Sequence, residues 1–136
     1  MLAKLIIDFG LVILIWMTQL VVYPSFTYFP ENDLLRWHSK YTTAVSIIVM
    51  PLMLGQLGIH GYSLYNEFSW LKSIALLLIV LTWINTFFFA VPLHNNIGEG
   101  KEVITAAKSL VNVNWYRTVL WTGIFLLSLY EYLKTP

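Results

Sequence analysis

"SIALLLIVLTWINTFFFAVP", residues 73–92, carries no charged side chain and continues for the roughly 20 residues that a helix needs to cross a bilayer. A spanning β-strand would show a shorter segment with alternating apolar and polar positions, so this unbroken run reads as helix. Working outward from it, three further apolar stretches appear at about 5–23, 41–60 and 115–133, beside the run itself at about 70–93. The expected fold is an all-α integral membrane four-helix bundle, formed by residues 1–136 as a single transmembrane domain.

Composition agrees with that reading. The chain is 58% hydrophobic and 11% charged, against about 25% charged residues in a soluble domain. Lys4 precedes the first apolar run, but no A-x-A-like cleavage site follows, so the segment reads as a retained span rather than a signal peptide. There is no cysteine, which excludes disulfides, thiolate metal ligation and thiol redox chemistry. A net charge of +1 without a basic block gives nucleic acid nothing to bind. Membrane lipid and a lipophilic small molecule are the partners this composition suits.

The connections are short and mostly polar. Asp8 and Gln19 return to nearly the same face of the first helix, with Ile15 and Tyr23 beside it, so that face is expected to look into the bundle. Pro24 and Pro30 in "YPSFTYFPEND" (23–33) are expected to end the first helix, with Asp33 capping a short helix that leads into the second span. Pro51 should bend that span, and Gly55 and Gly58 permit close packing, within the chain or between copies in a homo-oligomer. Pro92 is expected to end the third span. An interfacial amphipathic helix at about 99–113 should follow, since Val103, Ile104, Ala107, Leu110 and Val111 recur at helical spacing opposite Glu102 and Lys108. The terminal "LKTP" (133–136) is expected to fray.

Two stretches invite comparison. "DLLRWHSKYT" (33–42) and "SLVNVNWYRT" (109–118) have similar polar content and each leads into an even-numbered span, which suggests two helix pairs in the same orientation.

The polar residues gather at one end. Tyr23, His38, Tyr41, His94, Asn95, Asn114 and Arg117 all fall at the end bearing the longer connections, and Trp121 shares a stripe with Asn114 and Arg117. Polar groups in lipid need partners, so a water- or ligand-filled pocket is expected there. In it, His38 or His94 could accept a proton, Arg117 could stabilise an anionic oxygen, and Asn95 and Asn114 could orient a carbonyl or phenol, with Tyr23, Tyr41 and Trp121 completing the wall. Plainer roles compete: a histidine or asparagine at a helix end serves as a cap or turn residue, and arginine there snorkels to phosphates. Asp8, four residues after Lys4, reads as its local ion-pair partner, and His60 as a terminal residue of the second span. No H-x-x-x-H or E-x-x-H pair is present, so no metal site is assigned.

At "VPLHNNIGEG" (91–100) and "SLVNVNWYRTVLWT" (109–122) the chain resembles an anthrone-oxygenase-like family of small four-helix membrane proteins, a domain of unknown function. Pro92, Leu93, His94, Asn95, Asn114, Trp115, Arg117 and Thr118 carry the resemblance, which covers mainly the C-terminal half. It implies an oxidoreductase acting without a bound redox cofactor on a lipophilic aromatic or quinone-like molecule, in the bacterial inner (cell) membrane. Non-catalytic binding of a lipid or quinone, or service as a subunit of a membrane complex, is the alternative.

Orientation is testable. Arg36, Lys40, Lys101, Lys108 and Arg117 stand at one end against Lys4, Lys72 and Lys134 at the other, an excess of five against three that puts the two longer connections on the cytoplasmic side. In the cysteine-free chain, a single Lys101→Cys variant should react with an impermeant maleimide only after the cells are opened, and an Asn66→Cys variant in intact spheroplasts. The reverse pattern would invert the topology.

Overall fold

The computed structural model describes residues 1–134, all of them in helices or short connections. The first rod comprises α1 (Leu2–Met17), a π-turn (Thr18–Val22), α2 (Tyr23–Ser25) and a 3-10 turn (Phe26–Tyr28). The second is α3 (Glu31–Asn66). The third is α4 (Trp70–Asn85), a second π-turn (Thr86–Ala90) and α5 (Val91–Gly98); the fourth is α6 (Val103–Lys134). Together they make an all-α four-helix bundle in which α6 packs against α1, α4 and α5. Leu133 and Lys134 belong to α6 or its end, while Thr135 and Pro136, the rest of the segment expected to fray, lie outside the described residues.

Three segments have the length and apolarity to cross a membrane: Leu2–Tyr28, Glu31–Asn66 and Trp70–Gly98. The expected fourth span, 115–133, is helical throughout but belongs to the rod that turns Asn114, Arg117, Thr118 and Ser128 inward. The bundle as a whole has the reverse of a soluble protein's polarity. Ile6, Phe9, Ile13, Leu20, Ile47, Leu77 and Phe88 are exposed, while Lys4, Asp8, Gln19, His38, Gln56 and His60 are buried. An apolar surface of that extent fits contact with lipid.

Two prolines expected to end helices do not. Tyr23 N–H bonds to the carbonyl of Thr18, and Val91 N–H to that of Thr86, each five residues back and each immediately before a proline. The extra residue widens the turn, so the ring of Pro24 or Pro92 need not clash with the carbonyl four residues earlier, and the rod continues. His94 and Asn95 therefore stand on a helix rather than in a turn. α5 ends further on, where Gly100 adopts φ 69°, Gly100 N–H bonds to the Ile97 carbonyl and Lys101 N–H to that of Asn96. This pair of bonds is the Schellman arrangement, and glycine meets its left-handed position without steric penalty.

Other boundary expectations also change. α3 begins directly after Pro30, with Glu31 and Asp33 in its first turn and no side-chain cap, so no separate short helix precedes the second span. Pro51 stands on the exposed side of an uninterrupted α3. The amphipathic stretch at about 99–113 is no separate interfacial helix: from Val103 it is the first part of α6. Val103, Ala106, Ala107 and Leu110 are buried with Tyr23, Phe26, Leu34 and Ile97, so that face packs on protein, and Ile104 points outward. Of the two glycines marked for close packing, Gly55 brings α3 against α1, where a Cβ would lie 3.3 Å from Ile7 Cδ1; Gly58 meets nothing within 4 Å.

The two halves of the chain share an order of parts. Each has an apolar helix, a π-turn starting at threonine, a proline and then a long helix. In the paired stretches 33–42 and 109–118, the Thr42 hydroxyl donates to the His38 carbonyl and the Thr118 hydroxyl to that of Asn114, each four residues back.

Polar groups are not confined to one end. Asp8 on α1 accepts hydrogen bonds from Gln56 Nε2 at 2.7 Å and Ser128 Oγ at 2.6 Å, and lies 3.0 Å from His60 Nε2. All four residues are buried, and they join α1, α3 and α6. Lys4 pairs with Glu131 instead of Asp8. The expectation of a local Lys4–Asp8 pair and of a merely terminal His60 is thus overturned: in apolar surroundings the carboxylate needs several donors, and only distant helices supply them. An Asp8→Ala variant leaves buried donors on α3 and α6 unanswered. It should lose about 3 kcal/mol or more of stability, measured by unfolding titration in mixed micelles, whereas a change at an exposed position such as Lys108→Ala should stay within about 0.5 kcal/mol.

Candidate functional site

Four rods contribute to a continuous hydrogen-bonded chain. His38 Nε2 on α3 lies 2.9 Å from His94 Nδ1 on α5, and His94 Nε2 lies 2.9 Å from the Tyr23 hydroxyl on α2. Arg117 on α6 donates through Nη2 to that hydroxyl at 3.1 Å and to Asn114 Oδ1 at 2.6 Å. Asn114 Nδ2 donates to Gln19 Oε1 at 3.0 Å, and Gln19 Nε2 to the Val111 carbonyl at 3.2 Å. The aromatic rings assist: the two imidazoles have centroids 5.1 Å apart, and the Phe26 ring meets His38 and Tyr41 edge-on.

Each position follows from local structure. The first π-turn sets Tyr23, four residues after Gln19, on the inward side of its rod, and both are buried. The second sets His94 inward from the third rod. Asn114, Arg117 and Trp121 follow at i, i+3 and i+7 along α6, on one face. Trp121 Nε1 donates to Gln56 Oε1 at 3.0 Å, and Gln56 in turn holds Asp8.

The chain runs along a cleft of about 570 Å³. One wall is the face of α3 from Leu35 to Met53, and the opposite wall runs from Thr86 to Glu99 on the third rod. Leu11, Leu14, Ile15, Arg117 and Trp121 form the floor. The charged and ring-nitrogen groups sit at the His38 end, and the remainder is mostly apolar, with the hydroxyls of Thr18, Ser46 and Thr86 bonded to carbonyls of their own helices. The volume is that of a small-molecule site, with few polar groups and many hydrophobic ones.

The sequence candidates fare unevenly. His38, His94, Tyr23, Arg117 and Asn114 are bonded to one another in the chain above. Tyr41 and Trp121 line the cleft, and Asn95 stands exposed at its rim without a hydrogen bond to its side chain among the described residues. Gln19 and Thr118, which the sequence reading did not place in the site, anchor Asn114; the i, i+4 spacing of Gln19 and Tyr23 was the available signal. Among the described residues no group of three or more histidine or acidic side chains could hold a metal ion. No protein-family model, curated protein or solved structure matches the chain.

The geometry permits proton movement. With Arg117 donating to the Tyr23 oxygen, the phenol can donate to His94 Nε2, which leaves His94 Nδ1 protonated and donating to His38 Nε2. The mirrored arrangement, from His38 Nε2–H to His94 Nδ1 and from His94 Nε2–H to Tyr23, satisfies the same three contacts. A proton taken up at one end of the histidine pair can thus be matched by one released at the other.

Tyr23→Phe removes the oxygen shared by His94 and Arg117. It should shift the His94 imidazole 15N resonances and leave those of His60 in place, with a stability loss of about 1–3 kcal/mol. Unmoved His94 resonances would mean that Tyr23 and His94 are not bonded in solution.

Proposed function

We propose that this chain is a small membrane protein that receives a lipophilic, aromatic or quinone-like molecule sideways from the bilayer and exchanges a proton with its polar end. The observation that carries this reading is the His38–His94–Tyr23–Arg117 chain along a mostly apolar cleft. In the catalytic form of the proposal, a neutral imidazole of the pair takes a proton from an acidic C–H or O–H of the substrate; His38, whose Nδ1 has no hydrogen bond among the described residues, is the candidate. His94 and Tyr23 hold the imidazole in the required tautomer, Asn95 at the rim helps to orient polar groups, and Arg117, positioned by Asn114, stabilises the resulting anion. An enolate so formed would react with dioxygen, the oxidant; this oxygenase step rests on the sequence resemblance alone.

A second reading has its own support. His94, Tyr23, Asn114 and Gln19 are bonded to one another or to their neighbours in the chain, as in a fixed holding site, and non-catalytic binding of a lipid or quinone needs no more than the cleft.

Both readings are tested on purified protein in nanodiscs. Anthrone under air should be converted to anthraquinone, followed by absorbance, and His38→Ala or His94→Ala should lower the rate by about a hundredfold or more. Unchanged turnover in both variants would remove the proposed base. Binding of anthrone or a quinone to the wild type without turnover would select the holding role, and a Val49→Trp variant, which fills the cleft, should abolish that binding.

A further inference from the structure

Arg117 is a buried cation without an anion. It is 7% exposed and makes no ion pair among the described residues, where the salt bridges are Lys4–Glu131, His60–Asp8, Lys72–Glu67 and Lys101–Glu99. Its hydrogen-bond partners, the Tyr23 hydroxyl and Asn114 Oδ1, are neutral acceptors, and its Nε is buried with no partner among the described residues. The Tyr23 ring, 5.9 Å from the guanidinium carbon, adds a weak cation–π contact. Isolating a positive charge in this way is costly, and neutral acceptors compensate only part of it. The guanidinium cannot relieve the cost by losing its proton.

The cleft supplies no counter-charge either. Of its lining residues only Arg117 and Glu99 carry a formal charge. Glu99 stands at the mouth, more than half exposed, with one carboxylate oxygen 2.6 Å from Lys101 Nζ. That hydrogen bond raises the Lys101 ammonium above its ordinary pKa. With the Glu99 carboxylate paired at the exposed mouth, the charge left unanswered in the cleft is that of Arg117 on its floor.

Shape supplies the second constraint. On α3 the lining residues run from Leu35 to Met53, and His38 lies fifteen residues from Met53, or about 22 Å at 1.5 Å per residue. The charged and ring-nitrogen groups cluster at the His38 end; below them Leu14, Ile15, Val45, Val49 and Phe87 offer apolar surface, and the hydroxyls of Thr18, Ser46 and Thr86 are turned to carbonyls of their own helices. We propose that the occupant is a single-chain lipophilic acid bound as its anion, with its charged oxygen towards Arg117 and Tyr23 and its tail along the groove towards Met53. The inference rests on the cleft being a binding site for a lipophilic molecule and specifies the charge of its head. It also assigns Arg117 to binding: the guanidinium selects the ionised form, while the histidine pair lies beside the same oxygen.

The test compares heads of different charge on one tail. Equilibrium dialysis of labelled hexadecanoate and hexadecan-1-ol against the full-length protein in nonionic detergent should give a preference for the carboxylate of about tenfold, the margin of a charge-assisted over a neutral hydrogen bond. Arg117→Gln, which keeps an amide donor for Tyr23, should lower that ratio to about one, and Arg117→Lys should retain part of it, separating loss of charge from loss of fold. Equal binding of acid and alcohol by the wild type, or a full preference surviving in Arg117→Gln, would overturn the inference while leaving the cleft as a binding site. If neither amphiphile binds the wild type, the cleft reading falls as well. Displacement of hexadecanoate by an equal or lower concentration of a two-chain anionic phospholipid would assign the site to bilayer lipid and overturn the single-chain acid.

Discussion

A bundle with an apolar exterior must answer its polar atoms from within, and this requirement organises the whole molecule. In a soluble protein an awkward side chain can turn to water; among rods whose outer faces are Ile, Leu, Phe and Val, it has no such exit. Asp8, Gln19, Gln56, Asn114 and Arg117 therefore fix the rotation of their helices, since each finds its partners on another rod or one turn along its own. α6 takes the central part. It meets α1 through Ser128 and Asp8, α2 through Arg117 and Tyr23, and α3 through Trp121 and Gln56. The apolar clusters around Leu11, Ile79 and Ile124 and around Phe26 and Leu110 fill the space these bonds define.

The rods were legible in the sequence because continuous apolarity is a local property. The inward faces of α1 and α6 were legible for the same reason, as i, i+3, i+4 and i+7 spacings need no knowledge of neighbours. The widened turns were not. A proline signals a missing donor, and whether the chain stops or inserts one residue depends on packing against other rods. Reading Pro92 as a terminus put His94 in a connection, though it belongs to a helix. The candidate site was largely visible as a list of polar residues at one end, yet its bonding was not, since His38 and His94 are 56 residues apart in sequence. Asp8 shows the limit most clearly: the near neighbour Lys4 suggested a local pair, whereas its actual partners lie 48, 52 and 120 residues away.

The two polar layers differ in what surrounds them. The layer around Asp8 is closed, with each of its members 1–2% exposed and with none of them lining the cleft. It acts as a fastening between α1, α3 and α6. The layer around His38 and His94 borders a cavity, and the side chains there keep unused capacity: His38 Nδ1 has no hydrogen bond among the described residues, and Arg117 Nε has none. Trp121 stands between the layers, giving its N–H to Gln56 on the closed side and its ring to the cleft on the other. Rigidity below and open valence above are the division of labour expected where a site must be held in place while its occupant changes.

The paired π-turns have a consequence for how the chain tolerates change in length. One residue of helix corresponds to about 100° of rotation, so the surplus residue in each turn governs the azimuth of everything beyond it, including Tyr23 on one rod and His94 on the other. Removing a single residue from 18–22 or 86–90 would swing those side chains towards the apolar outer surface of the bundle, though composition and hydropathy would hardly alter. Substitutions of one apolar residue for another on the outer faces are mild by comparison. Spacing rather than chemical identity is the stricter inheritance of these two short segments.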